Sequence, residues 1–401
     1  MESRSSFREF SNYWIDPMMN DRKLCFARAK RVVVKIGSNV LTQNNGLNLK
    51  VIRSITRQIC RLIDDGREVI LVSSGAMASG VKKVGLPNRP DELPKRQAVA
   101  AVGQAGLIRE YEKAFARYHK KVAQILLTSE DLSNRKRYLN ARNTLYTLLG
   151  WQVVPVINEN DTVSVEEIKL GDNDNLAAMI ALLMEADLLI SLTDIEGLFN
   201  RDPRIHQDAE LIPTVTAITK ITEQYASEIP GALGSGGMIS KIRAARKVNS
   251  AGVPMVIAKG DKPNILIKLF SQRPLGTFFV PRKEKLASRK CWIAFSLKPH
   301  GVIKIDDGAA NAILKNGKSL LPSGILAVEE DFQIGAPVEF KNQKNEILGV
   351  GLANYSAADI RQIMGLKSNQ IKAVLGHKAY DEVIHRDNLV ITYENPSQEC
   401  V

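Results

Sequence analysis

The chain is predicted to be an α/β protein: a three-layer α/β/α sandwich around a mainly parallel sheet, followed by a small, mostly β domain. Three observations predict this. Six β-branched-rich runs of strand length occur at 32–36, 69–72, 122–127, 153–157, 188–192 and 255–258. Longer amphipathic segments separate them, and strands alternating with helices imply right-handed crossovers that cover a parallel sheet on both faces. After Gly276 the pattern changes to shorter runs divided by Gly, Asn, Asp and Pro.

Taken in order, residues 1–30 form an extension with room for a short helix. It mixes basic residues with Glu2, Glu9, Asp16 and Asp21 and has no apolar stretch, so it matches neither a secretory signal nor a transit peptide. The first strand run carries Lys35 on its last turn and leads into Gly37-Ser38-Asn39, where a glycine lets backbone approach an anion. Val51, Ile52, Ile55, Ile59, Leu62 and Ile63 then share one helical face, with Gly66 as the stop. The second strand run opens into the small-residue turn Ser73 to Gly80, which leaves space for a ligand and hydroxyls to bond it. Each turn by itself reads first as a plain tight turn, and neither GxGxxG nor GxxxxGK[ST] is present.

The run 153–157 is followed by a stretch dense in carboxylates and amides, ending at Asn175, with Lys169 as its one cation. At the carboxyl end of a strand this is where open α/β sheets place ligands. Its charges call for a cationic partner such as an amino-acid ammonium group, a magnesium ion, or lysines from elsewhere. An acidic surface loop is the other reading, and Asp161 or Asp172 also suits a helix cap. Gly234 to Lys241 opens the next helix; its flexible amides and helix N-terminus make an anion nest, and Lys241 can reach a phosphoryl group. Arg135-Lys136-Arg137 reads as an exposed helix face and Met238 as a packing residue.

Residues 281–290 are basic and polar, a linker. Strand-like runs at 301–305, 325–328, 337–340 and 388–392, with a helix over 307–316, make up the second domain. The expected boundaries are an extension 1–30, a catalytic domain 31–280, a linker 281–295, a β domain 296–392 and a tail 393–401.

Composition narrows the setting. The 401 residues suffice for two cores, and with 44% hydrophobic and 24% charged residues the chain is globular. The nearest approach to a membrane helix, 176–192, is interrupted by Glu185 and Asp187, so no membrane partner is expected. Cys25, Cys60, Cys291 and Cys400 are scattered without a CxxC pair, which argues against zinc and a disulfide framework and for the reducing cytoplasm. The net charge of +12 raises RNA as a partner. Residues 282–401 contribute sixteen Lys or Arg against fourteen Asp or Glu, so the excess sits in the N-terminal part, where phosphate-bearing small molecules account for it equally well.

The motifs KIGSNVL, VSSGAMASG, QAVAAVGQAGL, LNARNTL, VINEND, GDNDNLAA, LTDIEGLFNRDPR and GSGGMISKIRAA, spanning 31 to 259, together resemble the glutamate 5-kinases of the amino acid kinase family. Downstream, GVIKIDDGAANAILKNGKSLLPSGI, GLANYSAADI and HRDNLVI resemble the PUA domain attached to many of them.

The resemblance implies ATP-dependent phosphorylation of the side-chain carboxylate of L-glutamate to γ-glutamyl phosphate, the first step of proline synthesis. It implies that Lys35 and Lys241 flank the transferred phosphoryl group, held by Asp174. Glutamate would be bound by Ser74, Asp161 and Asn173, with support from Asn158 and Asp172. ATP would contact Thr193, Asp194, Ser235, Gly236, Gly237, Met238, Ile239 and Ser240 besides the lysines. Mg2+ would arrive with ATP, with no dedicated metal site on the protein. Feedback inhibition by proline, a homo-oligomer (tetramer or dimer), and transient contact with glutamyl phosphate reductase are also implied. A carboxylate acceptor is already ionised and needs no general base, which suits the placing of His119, His206, His300, His377 and His385 outside these motifs. The alternatives are a sibling acting on N-acetylglutamate, aspartate or UMP, or an RNA-binding PUA protein.

Overall fold

In the computed structural model, residues 17–43, 46–163, 173–227, 237–282 and 288–392 are described. Strands β1 (Arg31–Ile36), β2 (Glu68–Ser73), β3 (Lys121–Leu127), β4 (Val153–Glu159), β5 (Leu188–Thr193), β6 (Thr214–Val215), β7 (Met255–Lys259) and β8 (Thr277–Phe279) form one sheet in the order β3-β4-β2-β1-β5-β7-β8-β6. All pairs are parallel except β7 with β8. The six sequence-predicted runs are thus neighbours in one parallel block. The antiparallel β8 and two-residue β6 were not foreseen, because two or three residues give no periodicity to read. The order reverses at β1, between β2 and β5, and this opens the sheet's carboxyl rim for a ligand.

Alternation along β1 sorts the layers. Val32, Val34 and Ile36 enter the core shared with helix α2 (Leu49–Asp64) and helix α4 (Leu93–Ala116), whereas Val33 faces helix α6 (Asn173–Leu183) and helix α7 (Met238–Ser250). Lys35, two residues beyond Val33, points to that second side. Helix α2 buries Ile52, Ile55, Ile59 and Leu62; Asn48 caps it by accepting from Val51 N at 3.2 Å, and Gly66 ends it at φ +84°.

Between β2 and β3 lie helices α3 (Ala76–Val84) and α4, which cross at backbone contact. A Cβ on Gly80 would stand 1.9 Å from Val99 O, and one on Gly103 would stand 1.8 Å from Ala76 O. The small-residue turn 73–80, read as space for a ligand, is therefore spent partly on helix packing. Part of the N-terminal extension is also structural. Helix α1 (Pro17–Arg28) buries Phe26 edge-on to Phe270, and Arg22, sandwiched between the Phe26 and Phe278 rings, donates to Leu275 O at 2.5 Å.

The C-terminal sheet joins β9 (Val302–Ile305), β10 (Ile325–Glu329), β11 (Pro337–Lys341), β12 (Ile347–Leu352) and β13 (Leu389–Ile391) in the order β10-β9-β11-β12-β13. Strand β12 escaped prediction because Gly349 and Gly351 dilute its strand signal. Both are required by contact: a Cβ on Gly349 would lie 2.1 Å from Val390 O. The helix expected over 307–316 is present as Asp307–Asn316, capped by Asp306 and closed by Gly317 at φ +58°.

The expected linker 281–295 is corrected. Its second half is helix α8 (Ser288–Ser296), whose Cys291, Trp292 and Ile293 are buried in the core that also holds Val350 and Val390 of the C-terminal sheet. Trp292 Nε1 donates to Leu132 O at 3.1 Å, and Arg135 stacks 4.9 Å from the Trp292 ring. The basic-polar stretch misled because the apolar residues that dock the helix begin only at Cys291. Among the described residues, no helix is long and apolar enough to cross a membrane.

Candidate active site

The site gathers at the carboxyl ends of β1, β2, β4 and β5, facing the N-termini of α6 and α7. Its centre is Asp174, on the first turn of α6 and 3% exposed. Lys35 Nζ donates to its Oδ1 at 2.6 Å, while Lys241 Nζ and Ser240 Oγ donate to its Oδ2 at 3.0 and 2.7 Å. Ser191 of β5, in register beside Lys35, adds its hydroxyl at 3.3 Å from Oδ1. Burial by itself would raise the Asp174 carboxyl, but the two ammonium charges and the hydrogen bonds from Lys35 and Ser240 outweigh it and hold it well below the usual carboxylate range. Within this trio, two buried cations face one anion. Three separate elements converge here, so an acidic surface loop no longer explains Asp174.

Beside the trio runs a chain of neutral polar groups. Asn173 Nδ2 lies 2.9 Å from Ser74 Oγ, 3.2 Å from Ser73 O and 3.0 Å from Asn158 Oδ1. Asn158 Nδ2 in turn donates to Gln104 Oε1 at 2.9 Å, and the Ser73 and Tyr111 hydroxyls are 2.8 Å apart. Burial, opposed by the Ser73 bond, raises the Tyr111 phenol, so it stays protonated. Further along the β4 rim, Asp161 is half-buried. Burial first, then the charge of Glu159, pushes it up to about 6, with Arg89 opposing.

Thr193 and Asp194 end β5 on the other flank. Asp194 accepts from Asn39 Nδ2 at 2.9 Å and Thr193 Oγ1 at 3.0 Å. Partial burial raises this carboxyl, and these bonds with the nearby Lys241 charge bring it below its ordinary value. Gly237 caps α7 in extended backbone. Of the residues tied to ATP by resemblance, Ser240 turns its hydroxyl to Asp174 and Met238 is buried in the core, as its packing role anticipated; Ile239 is half-buried. Asp172, Ser235 and Gly236 lie outside the described residues. Arg137, on the exposed face of helix α5 (Arg135–Gly150), pairs with Asp131 at 3.0 Å.

The resemblance put Lys35, Asp174 and Lys241 in one cluster and Ser74, Asp161, Asn173, Asn158 and Asp172 in another; in the structure the first three are in contact, as are Ser74, Asn158 and Asn173, and Asp161 lies on the same rim as these without a bond to them among the described residues. Sequence reasoning missed Ser191, Asn39, Gln104 and Tyr111. Strand register would have found Ser191; the helical Gln104 and Tyr111 carry no local signal beyond sharing one face of α4 seven residues apart. Among the described residues no group of three His, Cys, Asp or Glu side chains could hold a metal ion.

Compared with known proteins, residues 30–259 match the profile of the amino acid kinase family and residues 301–375 that of the PUA domain. The glutamate 5-kinase of Syntrophus aciditrophicus is 50% identical over 374 residues, covering 93% of this chain and 97% of that one. That of Caldanaerobacter subterraneus subsp. tengcongensis is 50% identical over 362 residues, covering 90% and 97%. That of Geobacter sulfurreducens is 49% identical over 366 residues, covering 91% and 98%.

Proposed function

The chain belongs to the amino acid kinase family, its relatives over nine-tenths of its length being glutamate 5-kinases, and from that premise we propose how its residues divide the work. The protein transfers a phosphoryl group from ATP to the side-chain carboxylate of L-glutamate, forming γ-glutamyl phosphate and ADP, the step that opens proline synthesis. The observation that carries the assignment of roles is Asp174, gripping Lys35 and Lys241 from opposite oxygens.

Phosphoryl transfer leaves the protein little covalent chemistry; it has to align the acceptor and offset charge that spreads over the transferred group. Lys35 from the strand side and Lys241 from the helix side flank that group, and Asp174 fixes their spacing. The nucleotide lies along Thr193, Asp194 and the start of α7, whose N-terminus favours phosphate. Magnesium enters as the counter-ion of ATP; a hard ion of this kind prefers phosphate oxygens and water, which suits a rim whose phosphate-facing groups are lysines. Glutamate lies across the β2 and β4 rim, its ammonium group toward Asp161 and its other polar atoms toward Ser74, Asn158 and Asn173. Proline, which shares the ammonium and α-carboxylate, would compete there.

The test of the substrate is ADP release with glutamate, aspartate, N-acetylglutamate and UMP. Turnover is expected with glutamate; N-acetylglutamate should fail because acetylation removes the cation. Turnover of one of the others without glutamate would replace this reading with that of a sibling kinase.

Recognition of an ammonium group by Asp161 predicts a pH dependence. With its carboxyl pushed up to about 6 by burial and the charge of Glu159, Asp161 loses its charge, and glutamate affinity with it, as pH falls through that value. Below it, kcat/KM for glutamate should drop by about tenfold per pH unit, while kcat at saturation holds, since the acceptor carboxylate ionises near 4.3. Asp161→Asn should flatten this profile at a low level. The sign for stability is opposite: a carboxyl raised above its unfolded value contributes most at low pH and loses that contribution as pH rises from about 4 to about 6. Ligand-free Asp161→Asn should therefore melt higher than the parent at neutral pH.

A further inference from the structure

The motif QAVAAVGQAGL has so far no part in the chemistry, yet it is the segment of α4 that reaches the acceptor site. Two residues seven apart on one face of this helix, Gln104 and Tyr111, are buried and touch different pieces of that site: Gln104 bonds Asn158 of β4, and Tyr111 bonds Ser73 at the end of β2. The residue before Gln104 explains the reach. Gly103 meets Ala76 and Gly80 so closely that a Cβ there would fall 1.8 Å from Ala76 O and 2.5 Å from Gly80 N. A larger residue would lift α4 off α3 and draw Gln104 away from Asn158.

The hydrogen bonds of the polar chain run in one direction. Gln104 presents its oxygen to Asn158 Nδ2 at 2.9 Å, so Asn158 must turn its own oxygen to Asn173, which donates from Nδ2 at 3.0 Å. Asn173 spends its nitrogen on Asn158, Ser74 and the Ser73 carbonyl, leaving Oδ1 buried with no hydrogen-bond partner among the described residues. A buried carbonyl oxygen without a donor is costly, and a substrate ammonium or amide hydrogen would satisfy it. Inverting the first amide would turn the Asn158 nitrogen toward Asn173 Nδ2, which the Ser73 carbonyl also holds, and two donors facing each other would push Asn158 and Asn173 apart.

We infer that α4 is the back-plate of the acceptor site and that Gln104 is a positioning residue, whose side-chain oxygen orients Asn158 and through it braces Asn173 against the substrate. The inference rests on the reading of the acceptor site given above. The bond of Gln104 is to Asn158, not to the lysine trio.

The test uses the full chain and three variants. Gln104→Met keeps the volume and removes the acceptor; Gln104→Glu keeps the acceptor; Gln104→Asn keeps the polarity but withdraws it by one methylene. Expected for Gln104→Met is a KM for glutamate raised by roughly tenfold or more, with kcat and the KM for ATP within about twofold of the parent, the split that marks lost ground-state binding. Gln104→Glu should restore the KM for glutamate to within about threefold of the parent, with Gln104→Asn between the two. Equal effects of Met and Glu, no effect of Met, or a parallel fall in kcat and ATP affinity would overturn the proposal. Should the Met variant not fold, the Asn and Glu variants decide it, an Asn variant no weaker than Glu being the overturning result. A parent enzyme inert toward glutamate would instead reject the activity itself, and so separates the two readings.

Discussion

Replacing Lys241 by Met should lower kcat by roughly 10²–10³, the loss expected when one preorganised donor is removed from a developing charge, or about 2.7–4 kcal/mol of transition-state stabilisation. Lys241 is 4% exposed and its Nζ is 3.0 Å from Asp174 Oδ2. In so dry a setting a positive charge acts more strongly than it would in water. The change removes charge and leaves length and apolar stem, so α7, anchored by Met238, Ile242, Ala244 and Ala245, should stay in place. Asp174 keeps Lys35 as a partner at 2.6 Å and is not stranded. The KM values for glutamate and ATP should therefore move much less than kcat. Lys35→Met should behave alike from the other side. Lys241→Arg should not rescue, because a planar guanidinium does not occupy the space of a compact ammonium. Steady-state kinetics with melting curves check this; a kcat near that of the parent would remove Lys241 from the chemistry.

Much of the architecture was legible in the sequence, for reasons that can be traced to particular segments. The parallel block showed itself because strands buried on both faces must be continuously apolar, as in Val32-Val33-Val34 and Leu188-Leu189-Ile190. The helix at 307–316 was bounded correctly because Asp306 and Gly317 are strong caps. Strand β12 was lost to two glycines that answer to neighbours far along the chain. Helix α8 was read as tether because its partners, α6 on one side and the C-terminal sheet on the other, are tertiary. At the site, the charge of the stretch before Asn175 implied cations from elsewhere, and the trio fulfils that with lysines more than 60 residues away on either side. Which carboxylate they meet followed from resemblance alone. Gln104 and Tyr111 were illegible for a different reason: a polar residue on a helix announces burial only when its partner strand is known.

The same geometry makes Asp174 the residue whose loss should be felt twice. In Asp174→Asn the two ammonium groups, 5% and 4% exposed, lose the carboxylate that both grip, and breaking a buried ionic arrangement from one side costs about 3–5 kcal/mol. The folded carboxyl is depressed below its unfolded value, so its stabilising contribution is present above about pH 4 and is lost only as pH falls toward the folded value. The difference in melting between variant and parent should accordingly be full at neutral pH and shrink in acid. Turnover should fall as well, because the amide still offers an oxygen to one lysine but turns a nitrogen toward the other, and one phosphoryl-flanking charge swings away. If its role were only structural, glutamate and ATP at saturation would restore the parent kcat in the folded variant; if Asp174 sets the spacing of the two charges, kcat should stay low at any substrate concentration. Single-turnover measurements below the variant's melting temperature distinguish these outcomes.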